Sequence, residues 1–113
     1  MQPTIEIEPI IETRGDDWIW PFALLDDNEV PIDLTGCTFD GAAIKWRDGQ
    51  LALDTASGRL VVDALAGAIT ITVARDDTTQ VPDGQRARCV LPITDSLDHK
   101  STLLIIPIKV IAP

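Results

Sequence analysis

The side chains with which this 113-residue sequence could do chemistry are few: one His, two Cys, three Trp and eighteen Asp and Glu. His99 follows Asp98 in a polar stretch between two β-rich segments, a place for a solvated turn residue rather than a metal ligand or general base. Cys37 and Cys89 are too few and too far apart for a disulfide framework or a CxxC zinc site. Both lie in apolar-rich stretches and read as small buried hydrophobes, with a bridge between facing strands left open; only Arg88 stands near enough in sequence to activate Cys89. The chain has no Tyr and no glycine-rich phosphate loop, so it lacks the acid, base and nucleophile set of a hydrolase or oxidoreductase. No enzyme, cofactor or metal is expected.

The acidic clusters at Asp16-Asp17, Asp26-Asp27-Glu29 and Asp76-Asp77 lack the one-three-five spacing and later Glu of a calcium loop, and read as turns whose carboxylates accept backbone N–H groups. Arg14-Gly15-Asp16 spells the integrin-binding tripeptide, but at a strand entrance, followed by Asp17-Trp18, it reads as a tight turn. Trp46, flanked by Lys45, Arg47 and Asp48 near a strand end, is the one residue that suggests stacking on a sugar, a carbohydrate- or receptor-binding reading.

Around these residues the chain carries a net charge of −9 and a pI near 4.3, a repulsive field for nucleic acid phosphate. Hydrophobic residues make up 45%, enough for a real core, and the length suits one domain over residues 1–113. The N-terminus has no basic region followed by an apolar run, and no stretch approaches the roughly 18 apolar residues of a membrane helix. A soluble, unsecreted chain without membrane or nucleic-acid partners is expected.

Short β-rich segments bounded by Gly, Pro, Asp and Asn recur throughout, while helical periodicity is nearly absent. The pattern predicts an all-β antiparallel sandwich of seven to nine strands. Thr4 to Ile11 alternates until Pro9 and forms a first strand; Trp18, Trp20, Phe22 and Leu24 share one face of a second. Asp26 to Glu29 is a hairpin loop, Val30 to Leu34 a short return, and Thr38 to Arg47 a strand carrying Phe39, Ile44 and Trp46, with Gly41 as a bulge. Leu60 to Val62 is a short strand, Ile69, Ile71 and Val73 alternate with Thr70 and Thr72, and Arg75 to Gln80 supplies the one helical turn. Ala87, Cys89, Leu91 and Ile93 share a face, and Asp95 to Asp98 turns the chain into a last strand, Ser101 to Ile111, with Pro107 at an edge or bulge. The core is therefore Trp18, Trp20, Phe22, Leu24, Phe39, Ile44, Trp46, Ile69, Ile71, Val73, Cys89 and Leu91.

Two segments carry more apolar surface than one core needs. Ile19, Ala23 and Leu25 lie opposite the Trp18 face, and the last strand is apolar on both faces; either a second layer of the same domain covers them, or Ile19, Ala23, Leu25, Leu104, Ile106, Ile108 and Val110 form a candidate interface for a partner subunit.

Arg14-Gly-Asp-Asp-Trp18, Asp26, Pro31-Ile-Asp-Leu-Thr-Gly36 and Ala43-Ile-Lys-Trp46 together resemble the small β-sandwich domains of tailed-bacteriophage structural proteins, nearest the N-terminal domain of baseplate upper proteins and related tail-fibre domains. Gly67 to Val73, Thr78-Thr79, Val81-Pro82-Asp83-Gly84 and Thr102-Leu103-Leu104 continue the resemblance over nearly the whole chain. Departures are Glu29 where the family often has Gly, Gln85-Arg-Ala-Arg-Cys89 in place of an aromatic pattern, and Ile19 and Pro21 at polar positions. The resemblance implies an immunoglobulin-like fold and a non-enzymatic virion protein, assembled in the host bacterial cytoplasm. It would dock other tail, baseplate or fibre proteins and form a homo-oligomer in the particle. A capsid decoration protein is the alternative within the same setting.

Overall fold

The computed structural model describes residues 5–6, 9–84 and 86–113. Thr4, Ile7 and Glu8 of the expected first strand, and Gln85, lie outside the described residues. The larger sheet contains β1 (Ile5–Glu6), β2 (Ile10–Thr13), β4 (Ala43–Trp46), β5 (Gly49–Ala52), β8 (Arg86–Thr94) and β9 (Lys100–Ile111); β3 (Trp18–Ala23), β6 (Leu60–Asp63) and β7 (Ala68–Val73) make the smaller one. The strand orders are β1-β9-β8-β4-β5, with β2 also on β9, and β3-β7-β6. This is an all-β sandwich of two sheets. β1 and β2 run parallel to β9, whereas every other pairing is antiparallel. The expected helical turn is α1 (Arg75–Thr78), which leads from β7 toward β8.

Period-two alternation builds the core. In β7, Ile69, Ile71 and Val73 are fully buried while Thr70 and Thr72 turn outward. Trp18, Trp20, Leu24, Ile44, Cys89 and Leu91 are buried with them, and Phe22, Phe39 and Trp46 pack half-buried against the same cluster. Trp18 and Trp20 stack with ring centroids 5.9 Å apart. Their indole N–H groups reach across to β2: Trp18 Nε1 donates to the Thr13 carbonyl at 2.9 Å and Trp20 Nε1 to Glu12 Oε1 at 3.1 Å. A large buried aromatic needs such a partner for its polar edge.

The last strand corrects the expectation made for it. Leu104, Ile106, Ile108 and Val110 are not an outer face: all four are at most 2% exposed and belong to the core. Leu91 pairs with Leu104 but Pro92 pairs with Thr102, so Leu103 is the extra residue of a bulge. Side-chain parity flips there, and Leu103 and Leu104 are both buried in succession. A strand that alternates on either side of a parity flip reads as apolar on both faces. Pro107 is not at an edge, since β9 is flanked by β8 and by β1 and β2. On β8 its partner is Arg88.

Three other segments differ. Val30 to Leu34 is no strand; it is held by the Leu25↔Pro31 bridge and by backbone bonds such as Ile32 N–H to the Leu24 carbonyl and Leu34 N–H to the Ala64 carbonyl. The strand expected from Thr38 begins only at Ala43, because Gly41 turns the chain at φ +90°. β5 was not anticipated: Arg47-Asp48 is a two-residue turn that returns Gly49–Ala52 along β4.

Gly67 is required twice over. Its φ is +61°, and a Cβ there would stand 2.6 Å from the Ile32 carbonyl oxygen and 2.9 Å from that of Leu24. Gly58 has φ +81° but open space. Gly58→Ala should cost about 1 kcal/mol from left-handed strain alone, and Gly67→Ala at least twice as much; urea unfolding of the two variants measures the difference.

Candidate docking surface

Arg14-Gly15-Asp16 is bonded to α1 and its C-cap residue Thr79, while the Asp16 side chain stays exposed. The Arg14 guanidinium donates from Nε (3.0 Å) and Nη2 (2.7 Å) to the Thr79 carbonyl. Gly15 N–H donates to Thr78 Oγ1 at 3.0 Å, and that hydroxyl lies 2.9 Å from the Asp16 carbonyl and 3.0 Å from that of Arg75. Asp17 Oδ1 accepts the Arg75 N–H at 2.7 Å. Thr78 is the one fully buried polar side chain among the described residues. The tripeptide thus fastens two chain segments more than 60 residues apart.

The acidic loops are built by their own carboxylates. Asp26 Oδ1 accepts the N–H groups of Asn28 and Val30, and Asp95 Oδ1 those of Leu97 and His99, in two loops of the same design. Glu29 and Asp98 occupy equivalent left-handed positions at φ +62° and +63°, where Gly would be unstrained. The His99 N–H, chiefly, holds the Asp95 carboxyl below the usual range, and Thr35 does the same for Asp33. His99 sits exposed in its loop, as expected. Trp46 covers Gly49, where an added Cβ would be 2.9 Å from the indole Nε1. Cys37 and Cys89 are both free thiols.

Of the expected interface residues, Ile19, Ala23 and Leu25 are exposed. Ile19 (61%) and Val61 (56%) stand on the outer face of the smaller sheet. The register sets them among Pro21, Ala23, Ala68, Thr70 and Thr72, with Asp63 the only charge in the three paired rows. A sheet face with a single charge in its paired rows, on a chain of net charge −9, is a candidate contact surface. Val61 escaped the sequence reading because its neighbours Leu60 and Val62 blur the alternation of β6.

Among the described residues no cluster of three or more His, Cys, Asp or Glu could hold a metal ion, and no helix is long and apolar enough to cross a membrane. No family model matches the chain, and no curated protein matches it in sequence.

Two outcomes follow from the buried groups. Thr78→Val keeps the side chain's shape but strips Gly15 N–H and the Asp16 carbonyl of their partner, and should cost about 1–3 kcal/mol in urea unfolding, against under about 0.5 for exposed Thr79→Val. Burial pushes the Cys89 thiol from an ordinary 9.0 up to about 12. Below pH 9 that group leaves stability unchanged; from there toward 12 the unfolded chain loses a proton that the folded chain keeps, so stability falls. Thermal melts across this range should show a loss that Cys89→Ala lacks.

Proposed function

We propose that this chain is a non-enzymatic structural subunit of a tailed-phage virion, an adaptor of the tail, baseplate or fibre that docks neighbouring virion proteins through the faces of its sandwich. The observation that carries the reading is the outer face of the smaller sheet, where Ile19 and Val61 are more than half exposed and Asp63 is the one charge in the paired rows. Two features accompany it. The sequence resemblance to phage baseplate and fibre domains spans nearly the whole chain, and its separated motifs, Arg14-Gly-Asp-Asp17 and Thr78-Thr79, meet in one hydrogen-bonded knot. The proposed setting is the virion, assembled in the host cytoplasm.

The test is immunogold labelling of gradient-purified particles from cells producing the phage that encodes the chain. Label at the tail is expected. Ile19→Glu with Val61→Glu, both on the exposed face, should change the unfolding free energy by under about 1 kcal/mol and lower incorporation at least several-fold. Label over the heads would replace the adaptor with a capsid decoration protein, and particles without label would overturn the virion assignment.

A further inference from the structure

The chain's positive charge is segregated. Lys45, Arg47, Arg86, Arg88 and Lys109, five of its nine Lys and Arg, lie on the outer side of the larger sheet or in its adjoining turn. Lys45 stands directly across from Arg88, and Arg86 directly across from Lys109. Like charges opposed on adjacent strands destabilise a sheet. None of the five makes an ion pair among the described residues, whereas Arg59 and Arg75 are bound by Asp77 and Asp17. Asp48, in the β4–β5 turn, adds a carboxylate beside them, and Glu6 of β1 pairs with Ile105 on the same sheet. Ile105 and Pro107 complete a shallow groove of about 740 Å³ with Lys45, Arg86 and Arg88.

The opposite end of the sandwich carries the complement. The loops after β3, β6 and β8 gather there, tied by Leu24 N–H to Gly67 carbonyl, Leu34 N–H to Ala64 carbonyl and the Thr38↔Thr94 bridge. They present Asp26, Asp27, Glu29 and Asp33, beside Asp63 at the end of β6, with exposed Leu25, Val30 and Leu65 among them. Lys100 is the one Lys or Arg in these loops or next to them.

We propose that the chain associates head to tail with a second copy, the basic outer face of one larger sheet receiving the acidic loop end of the next. A second copy is the occupant because both halves of the complementary pair are present on this one chain. The two surfaces differ and lie apart, so the contact is heterologous and forms a ring or an open stack. This goes beyond the adaptor reading and rests on charge placement alone.

The test is sedimentation of the purified full chain over a range of concentrations, from about 0.05 to about 0.5 M NaCl. Copies of net charge −9 repel overall, so an apolar contact would strengthen with salt while a charge-complementary one weakens. Association that weakens roughly tenfold over this range is expected. Lys45→Glu with Arg88→Glu, and separately Asp27→Lys with Glu29→Lys, should each give monomers, and mixing the two variants should restore a complex. Circular dichroism verifies folding, and the neutral pair Lys45→Gln with Arg88→Gln should still weaken association if the reversal misfolds. A monomer at every salt concentration, association that grows with salt, or association indifferent to the substitutions overturns the proposal. So does a monomer whose basic face binds polyglutamate or heparin, since the surface would then belong to another polyanion.

Discussion

A single buried hydroxyl joins two of the four places where the chain crosses between sheets. Residues 14–17 carry it from β2 of the larger sheet to β3 of the smaller, and α1 carries it back from β7 toward β8. Thr78 Oγ1 serves both crossings at once, taking the Gly15 N–H and reaching the Asp16 carbonyl, while Arg14 clasps the next carbonyl along. Without it two backbone groups would be shut away unpaired, a cost comparable to a sizeable fraction of a small domain's stability. The Trp18 and Trp20 indoles continue the same seam by bonding β2 from the facing sheet. Because the knot fixes how β2 enters β3 and how β7 hands over to β8, it also fixes which residues the two outer faces present.

What could be read without coordinates follows from how local each signal is. The alternation of Ile69 to Val73, the Trp18 face and the helical turn at Arg75 depend on a few consecutive residues, and those elements stand as expected. The bulge at Leu103 depends on a partner strand, so β9 read as uniformly apolar and its core residues as a surplus. β5 is short, begins with Gly49 and is recognisable only by its pairing with β4. Ile19 and Leu25 were identifiable as outward from parity alone; the knot at Thr78 was not, since its partners are more than 60 residues distant.

Charge shows the same division most clearly. Composition reports a uniformly acidic chain, and from that total a basic surface is invisible. Lys45, Arg86, Arg88 and Lys109 become neighbours only when β4, β8 and β9 are laid side by side, because outward positions two apart on each strand then fall into adjoining rows. The acidic residues, by contrast, sit in loops for a local reason: a short carboxylate can replace the missing backbone acceptors of a tight turn. Lys45, Arg86, Arg88 and Lys109 thus lie on strands and Asp26, Asp27, Glu29 and Asp33 in loops, which the sandwich separates in space.

The parallel closure of β1 and β2 on β9 has a mechanical meaning. The chain runs into the sandwich along one strand and out of it along the adjacent one in the same direction, so tension applied through its two ends pulls these neighbours past each other lengthwise. Their hydrogen bonds, from Ile10↔Ile108 to Thr13↔Ile111, are then loaded in shear and share the force, instead of opening one after another as in a peeled hairpin. Extension along that axis therefore meets the sandwich in its stiffest direction, and the rate of forced unfolding is set by the rupture of this one seam.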